Sequence, residues 1–235
     1  MKKESDKITN SLGETLKESD LTKVSAGILE SIIDEGLLED GILKEIPILG
    51  SIIGLGKTVS SVKDYLFAKK IVGFLSGVAN ISQEKRNEII SKIDSDPNYK
   101  QTVGSKLLYI IDNSQDHLSS SLIAKLFVAF LNEELTYKEF CKASLILNNI
   151  DYFDLQEFLE IPDEAYGNNG TSGLGLEEVD NFFINAGLCS AETSTVTVED
   201  QWDYKMSEKY VVEGGETIIH RTLIGAKIYE ILNRT

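Results

Sequence analysis

The sequence predicts a mainly α-helical chain that ends in a small α+β module. Three observations lead there. Only three prolines, Pro47, Pro97 and Pro162, interrupt 235 residues, so long stretches are free to be helical. Apolar residues recur at three- and four-residue spacing through residue 160, whereas beyond residue 176 the period shortens to two between glycine-rich turns. Hydrophobic residues make up 42% and charged residues 26%, a composition that excludes disordered, collagen-like and polytopic membrane chains. A chain of this length can bury a sizeable core, as one large domain or two small ones.

Residues 1–40 place Leu12, Leu16, Leu21, Val24, Ile28, Ile32 and Ile33 at helical spacing on an acidic background. An amphipathic helix pair is expected, or one helix frayed at its N-terminus, with a solvated leader as the alternative. The opening MKKESDKITNSLGETLKESD lacks an apolar h-region, so secretion through a cleaved signal is not expected.

Residues 41–81 form a glycine-rich, apolar and basic block, expected to be a helical hairpin. Pro47 suits the first turn of a helix, where its missing N–H costs nothing. From Ile46 to Val62 the only charge is Lys57, and from Ile71 to Ile81 there is none. The first run lies at the lower edge of what spans a bilayer, and the second is too short alone. Gly50–Gly54 and Gly73–Gly77 repeat the small-xxx-small spacing that lets helix backbones approach closely in lipid. Glycine inside a helix costs about 1 kcal/mol relative to alanine, so these positions need a packing reason. The formal charge of the chain is −15, yet residues 41–80 carry 5 basic and 2 acidic groups, giving +3. Residues 1–40 (5 and 10) and 81–160 (8 and 13) give −5 each, and residues 161–235 (5 and 13) give −8. Lys57, Lys63, Lys69 and Lys70 therefore lie in the one basic quarter, placed to snorkel or to attract anionic headgroups. A hairpin buried inside a water-soluble protein is the competing reading.

Residues 82–160 predict a helical bundle. Ser82 can cap SQEKRNEIISKID, and Asp96–Pro97 reads as an N-cap and first-turn pair opening PNYKQTVGSKLLYIID. SSSLIAKLFVAFLNEEL carries a core stripe at 122, 123, 126, 127, 130 and 131. Thr136 with Glu139 fits a capping box, and DLQEFLEI closes the array. Residues 161–176, with four glycines and a proline, read as a linker. Residues 177–235 give a short helix ending at Gly187, a strand at TSTVTV, a hairpin YVVE-GG-ETIIHR turning at Gly214–Gly215, and a final helix. That order resembles a winged helix.

The residues that carry chemistry point away from catalysis. GSIIGLGKT at 50–58 approaches the phosphate-binding loop through Gly56, Lys57 and Thr58, but Ser51 stands where the first glycine belongs. LLYIID would have to be the strand that presents Asp112 to magnesium. The two histidines, His117 and His220, leave few candidates for a catalytic base or metal site, and no Asp-x-Asp-x-Asp-Gly loop precedes LTYKEFCKASLIL. Cys141 and Cys189 sit among apolar residues and read as reduced, buried thiols. No enzyme activity, cofactor or metal is expected. The short helix of the C-terminal module carries Glu177, Glu178 and Asp180, which disfavours duplex DNA. Lys205, Lys209, Arg221, Lys227 and Arg234 are the cations there for a local anion site.

The stretch IPILGSIIGLGKTVSSVKDYLFAKKIVGFLSGV, followed by SKIDSDPNYKQTVGSKLLYIIDNSQDHLSSSLIAKLFVAFLNEELTYKEFCKASLILNNI, resembles bacterial abortive-infection (Abi-alpha-like) anti-phage proteins over residues 45–160. A more particular resemblance is to the transmembrane effectors of the Hailong defence system. There a nucleotidyltransferase makes single-stranded oligonucleotides that hold a tetrameric channel closed. The resemblance implies a homo-oligomeric, membrane-active effector in the bacterial cytoplasm or inner membrane, gated by a partner or by such an oligonucleotide. No pore or ligand residue carries over. A soluble helical adaptor is the second reading, and a P-loop-type NTPase the third.

Overall fold

The computed structural model describes residues 2–22, 24, 45–53, 62–99, 101–162, 181–200, 210–215 and 217–234. The chain is mainly helical and divides into a larger unit through Asn149 and a smaller one beginning at Ile150.

The larger unit contains helices α1 (Lys2–Glu18), α2 (Pro47–Ile53), α3 (Val62–Val78), α4 (Gln83–Asp94), α5 (Val103–Asp112), α6 (His117–Leu131) and α7 (Tyr137–Asn149). Its centre is the pair α3 and α6. One side of α3 buries Ala68, Ile71, Val72, Phe74, Leu75 and Val78. Most of the stripe expected on α6 is buried as well, at Ile123, Leu126, Phe127, Phe130 and Leu131. Phe127 joins the two surfaces, with ring centroids 5.5 Å from Phe74, 5.6 Å from Phe130 and 5.3 Å from Phe140 on α7. Aromatic pairs at these separations add about 1 kcal/mol each beyond the area they bury.

Gly73 and Gly77 explain how the helices come so close. A Cβ built on Gly73 would stand 2.7 Å from the backbone oxygen of His117, and one on Gly77 would stand 2.6 Å from Ala124 Cβ. Both glycines of the second small-xxx-small pair therefore face α6 of the same chain, not α2. Of the first pair, Gly50 is half-buried in α2, and Gly54 lies outside the described residues, as do Gly56 and Lys57. Ile48, Leu49, Phe74 and Leu75 are fully buried. Among the described residues no helix is long and apolar enough to cross a membrane.

Pro47 opens α2, as its missing N–H allows. The next amide, of Ile48, donates to Thr15 Oγ1 at 3.0 Å, and that hydroxyl donates to the Ser11 carbonyl at 2.7 Å. A second polar junction is less expected. Arg86 is 1% exposed; its Nη2 donates to the Ser19 carbonyl at 2.8 Å and its Nε to the Ile81 carbonyl at 3.1 Å. Those carbonyls follow the C-terminal ends of α1 and α3, where helix dipoles favour a cation. Burial lowers the guanidinium pKa, while Asp20 and Glu84 act to raise it.

Local punctuation follows the sequence at several points and departs from it at others. Ser82 caps α4, with its hydroxyl accepting from the Lys85 amide. Thr136 and Glu139 form the reciprocal capping box. Asp96–Pro97 does not open a helix: Asp96 Oδ1 accepts from the Asn98 amide in a tight turn, and α5 starts later, capped by Thr102. Ser51 and the residues of LLYIID are helical, so the strand–loop–helix frame of a phosphate-binding loop, with a second strand presenting Asp112, is absent from the described residues. Helix α1 supplies one helix within residues 1–40; the region of the second helix of the expected pair, with Ile28, Ile32 and Ile33, lies outside the described residues.

The smaller unit starts earlier than the composition implies. Helix α8 (Tyr152–Glu160), expected to close the bundle, groups with α9 (Asn181–Ala186), strands β1 (Cys189–Thr193), β2 (Thr197–Asp200), β3 (Tyr210–Glu213) and β4 (Thr217–Arg221), and helix α10 (Leu223–Leu232). Gly187 ends α9 at φ 89°, as expected. The Gly214–Gly215 hairpin turn, however, is not found. β4 pairs with β1, and β3 with β2, both antiparallel. The two pairings keep one register: Thr193 faces Thr217 and, four residues along each strand, Thr197 faces Glu213. The strands thus make one two-stranded ribbon broken at Ser194–Val196 opposite the glycines. Gly214 (φ 90°) and Gly215 (φ 81°) form a kink, where a Cβ on Gly214 would collide with the Thr195 oxygen. The connection between β2 and β3 lies outside the described residues.

Two stability outcomes follow. Gly77→Ala should lower stability by about 1–3 kcal/mol, because overpacking against Ala124 exceeds the gain in helix propensity. In an Ala124→Gly background the same change should become neutral or stabilising, a sign reversal read from urea midpoints. Arg86→Met should cost on the order of 1–3 kcal/mol by taking the donor from two part-buried carbonyls, read the same way.

Candidate functional site

The residues V-K-D-Y-L-F-A-K-K at the start of α3 divide by helical spacing into two faces. Lys63, Phe67 and Lys70 follow one line, while Val62, Leu66 and Lys69 follow another. The first line faces α5. Core packing of Leu107, Ile110 and Ile111 turns α5 so that Lys106 and Tyr109 are left on its outer side.

Between these helices lie two adjoining cavities. The larger, about 790 Å³, is lined by Ile8 of α1, Lys63, Asp64, Phe67, Lys106 and Tyr109, among others. The smaller, about 280 Å³, is lined by Lys63, Phe67, Lys69, Lys70, Asp112 and His117, among others. Lys63, Phe67 and Asp112 border both, so the two form one open trough. Lys70 Nζ donates to the Asp112 carbonyl at 2.9 Å, placing a cation on the C-terminal end of α5. Lys69 Nζ stands 4.6 Å from the Tyr65 ring centroid, and Lys106 Nζ 5.2 Å from that of Tyr109. Val62 is 74% and Leu66 49% exposed beside the lysines.

The structure thus brings together Lys63, Lys69 and Lys70, three of the four lysines singled out in the basic quarter. Lys106, Tyr109 and Asp112 complete the trough, and sequence reading had not grouped them with these lysines. Their signal was available only as the positions that the apolar stripe of α5 leaves outside. His117 lies at the end of the trough; His220 sits on β4 opposite Ser190.

Among the described residues, the cations of the smaller unit do not gather in the same way. Arg221 carries its guanidinium carbon 3.6 Å from the Tyr229 ring centroid and 5.2 Å from that of Phe158, and its Nη2 donates to the Ile161 carbonyl. Burial lowers its pKa against the raising effect of Tyr229. This guanidinium is engaged in tying β4 to α10 and α8. Lys227 is half-buried on α10, and Lys205 and Lys209 lie outside the described residues.

A third cavity, about 210 Å³, is lined by Asn98, Tyr99, Gln101, Lys106, Tyr137 and Cys141. Burial, reinforced by Cys141, pushes the Tyr137 hydroxyl far above the ordinary tyrosine range. Burial also raises the Cys141 thiol, against the lowering effect of Lys106. A raised thiol pKa makes the more nucleophilic thiolate scarcer at this position. Cys189 is buried, and among the described residues no cluster of three His, Cys, Asp or Glu could hold a metal ion.

Tyr137 keeps its proton in the folded chain above pH 10, where an unfolded tyrosine loses it. Its contribution is complete below that pH and disappears as pH rises. Stability should therefore decline above pH 10, by about 1.4 kcal/mol per pH unit from this group, and Tyr137→Phe should flatten the decline in urea titrations between pH 9 and 11.

Comparison with protein-family models, with curated proteins and with solved structures finds no match for this chain.

Proposed function

We propose that the protein acts at an anionic membrane face, docking through the first turns of α3. The role is that of a bacterial anti-phage effector, as the resemblance to abortive-infection proteins implies. One observation supports the membrane contact above the others: Lys63, Lys69 and Lys70 surround Val62 and Leu66, the exposed apolar residues at the start of α3. Lysines beside an anionic surface contribute about 1 kcal/mol each within a Debye length, and exposed aliphatic side chains add burial once contact is made. Ile48, Leu49, Phe74 and Leu75 hold the fold together from inside, so contact in this conformation is peripheral. Oligomerisation into a pore, and gating by a partner or an oligonucleotide, belong to the same proposal and would require a rearrangement of these helices.

The smaller unit, whose helix–ribbon–helix order resembles a winged helix, serves in this reading as the sensing module. Its acidic charge favours a protein partner over duplex DNA.

Flotation with phosphatidylcholine vesicles containing increasing phosphatidylglycerol tests the proposal. Binding should rise with anionic content and fall with salt, and the pair Lys69→Gln and Lys70→Gln should weaken it roughly 20- to 30-fold. Wild-type protein that stays in the soluble fraction at every composition overturns the membrane role and leaves a soluble adaptor as the better account.

A further inference from the structure

The basic quarter of the chain becomes something more selective once folded. Lys63 and Lys106 line the larger cavity together with Asp64, and Asp112 borders it where it meets the smaller one. Two cations and two anions share one cavity, so its lining has no net charge although the region around it is basic. A ligand with a single anionic group would meet two opposing carboxylates there. A ligand with an anion and a cation a few atoms apart would satisfy both sets at once.

We infer that the α3–α5 trough binds a phosphoethanolamine headgroup, a phosphodiester joined by a two-carbon link to a primary ammonium. Lys63 and Lys106 take the phosphodiester, as ammonium groups do with anionic oxygens. The exposed carboxylate of Asp112, at the end of α5, accepts from the ligand's ammonium, which has three N–H donors. Phe67 and Tyr109 offer apolar wall to the adjoining glycerol carbons. A quaternary ammonium, which has no N–H to donate, would forgo that hydrogen bond and binds less well. The volume of about 790 Å³ is within the range of small-molecule sites. This inference rests on the membrane role proposed above; it names the headgroup that the same site selects.

The experiment holds phosphatidylglycerol constant in the vesicles and exchanges phosphatidylethanolamine for phosphatidylcholine. A parallel arm titrates soluble glycerophosphoethanolamine and glycerophosphocholine into the full chain, read by chemical-shift changes at Tyr109. Ethanolamine vesicles should bind roughly three- to tenfold more tightly, the scale of one solvent-exposed hydrogen bond of ordinary strength. Asp112→Asn should abolish that preference, so that ethanolamine and choline vesicles bind alike. Lys63→Gln with Lys106→Gln should weaken both vesicle types. Asp112 is exposed at a helix C-terminus, where removing a negative charge does not threaten the fold.

Equal binding of the two vesicle types, or a preference that survives Asp112→Asn, overturns the headgroup assignment and leaves the membrane role standing. Failure to bind any vesicle, with shifts at Tyr109 from the soluble ethanolamine ester alone, supports the trough and assigns its ligand to the soluble pool. Failure in both arms overturns the trough as well as the membrane role.

Discussion

The close approach of α3 to α6 is the constraint on which the larger unit depends. Two glycines on α3 meet a backbone oxygen and an alanine methyl of α6 at distances no side chain would tolerate. Because the backbones lie this near, Phe74 can reach Phe127, and Phe127 in turn connects to Phe130 and Phe140. Ser121 follows the same logic: its hydroxyl donates to the His117 carbonyl at 2.9 Å and lies 3.3 Å from the Gly73 oxygen, so a small polar group fits where a larger one would separate the helices. The helix propensity that the two glycines sacrifice is offset by aromatic burial across the joint.

Around that joint, polar side chains close the ends of the helices. Arg86 gathers carbonyls after α1 and α3, Thr15 receives the first free amide of α2, and Lys70 sits on the last carbonyl of α5. Each meets a backbone group that the helix itself cannot satisfy. Arg86 illustrates this arrangement: its enclosed guanidinium meets carbonyls that follow two helix ends, and Asp20 and Glu84 add favourable charge.

Much of the helical pattern was legible because it is local. A capping hydroxyl and its amide lie three residues apart, so Ser82 and the Thr136–Glu139 box could be read without knowing the fold. Asp96–Pro97 was misread because aspartate serves a tight turn as readily as a helix start, and here it bonds two residues ahead. Gly214–Gly215 was misread because a turn and a kink demand the same positive φ; only the strand across the ribbon decides between them. The small-xxx-small spacing signals close backbone approach in lipid and in water alike, and it does not name the partner helix. The trough was half legible for the same reason: its lysines on α3 form a local cluster, whereas Lys106, Tyr109 and Asp112 arrive from another helix.

The broken ribbon has a consequence for how this chain behaves in company. A strand with only one hydrogen-bonded neighbour exposes an outer row of amides and carbonyls, which can recruit strands from other molecules. Cross-β stacking requires a flat run of about six or seven residues. Among the described residues no strand of the ribbon exceeds five, because the glycine kink interrupts one side and Ser194–Val196 interrupts the other. Exposed Glu192 and Glu213 place charge close to either side of that interruption. The kink thus divides a long adhesive edge into segments too short to seed a fibril.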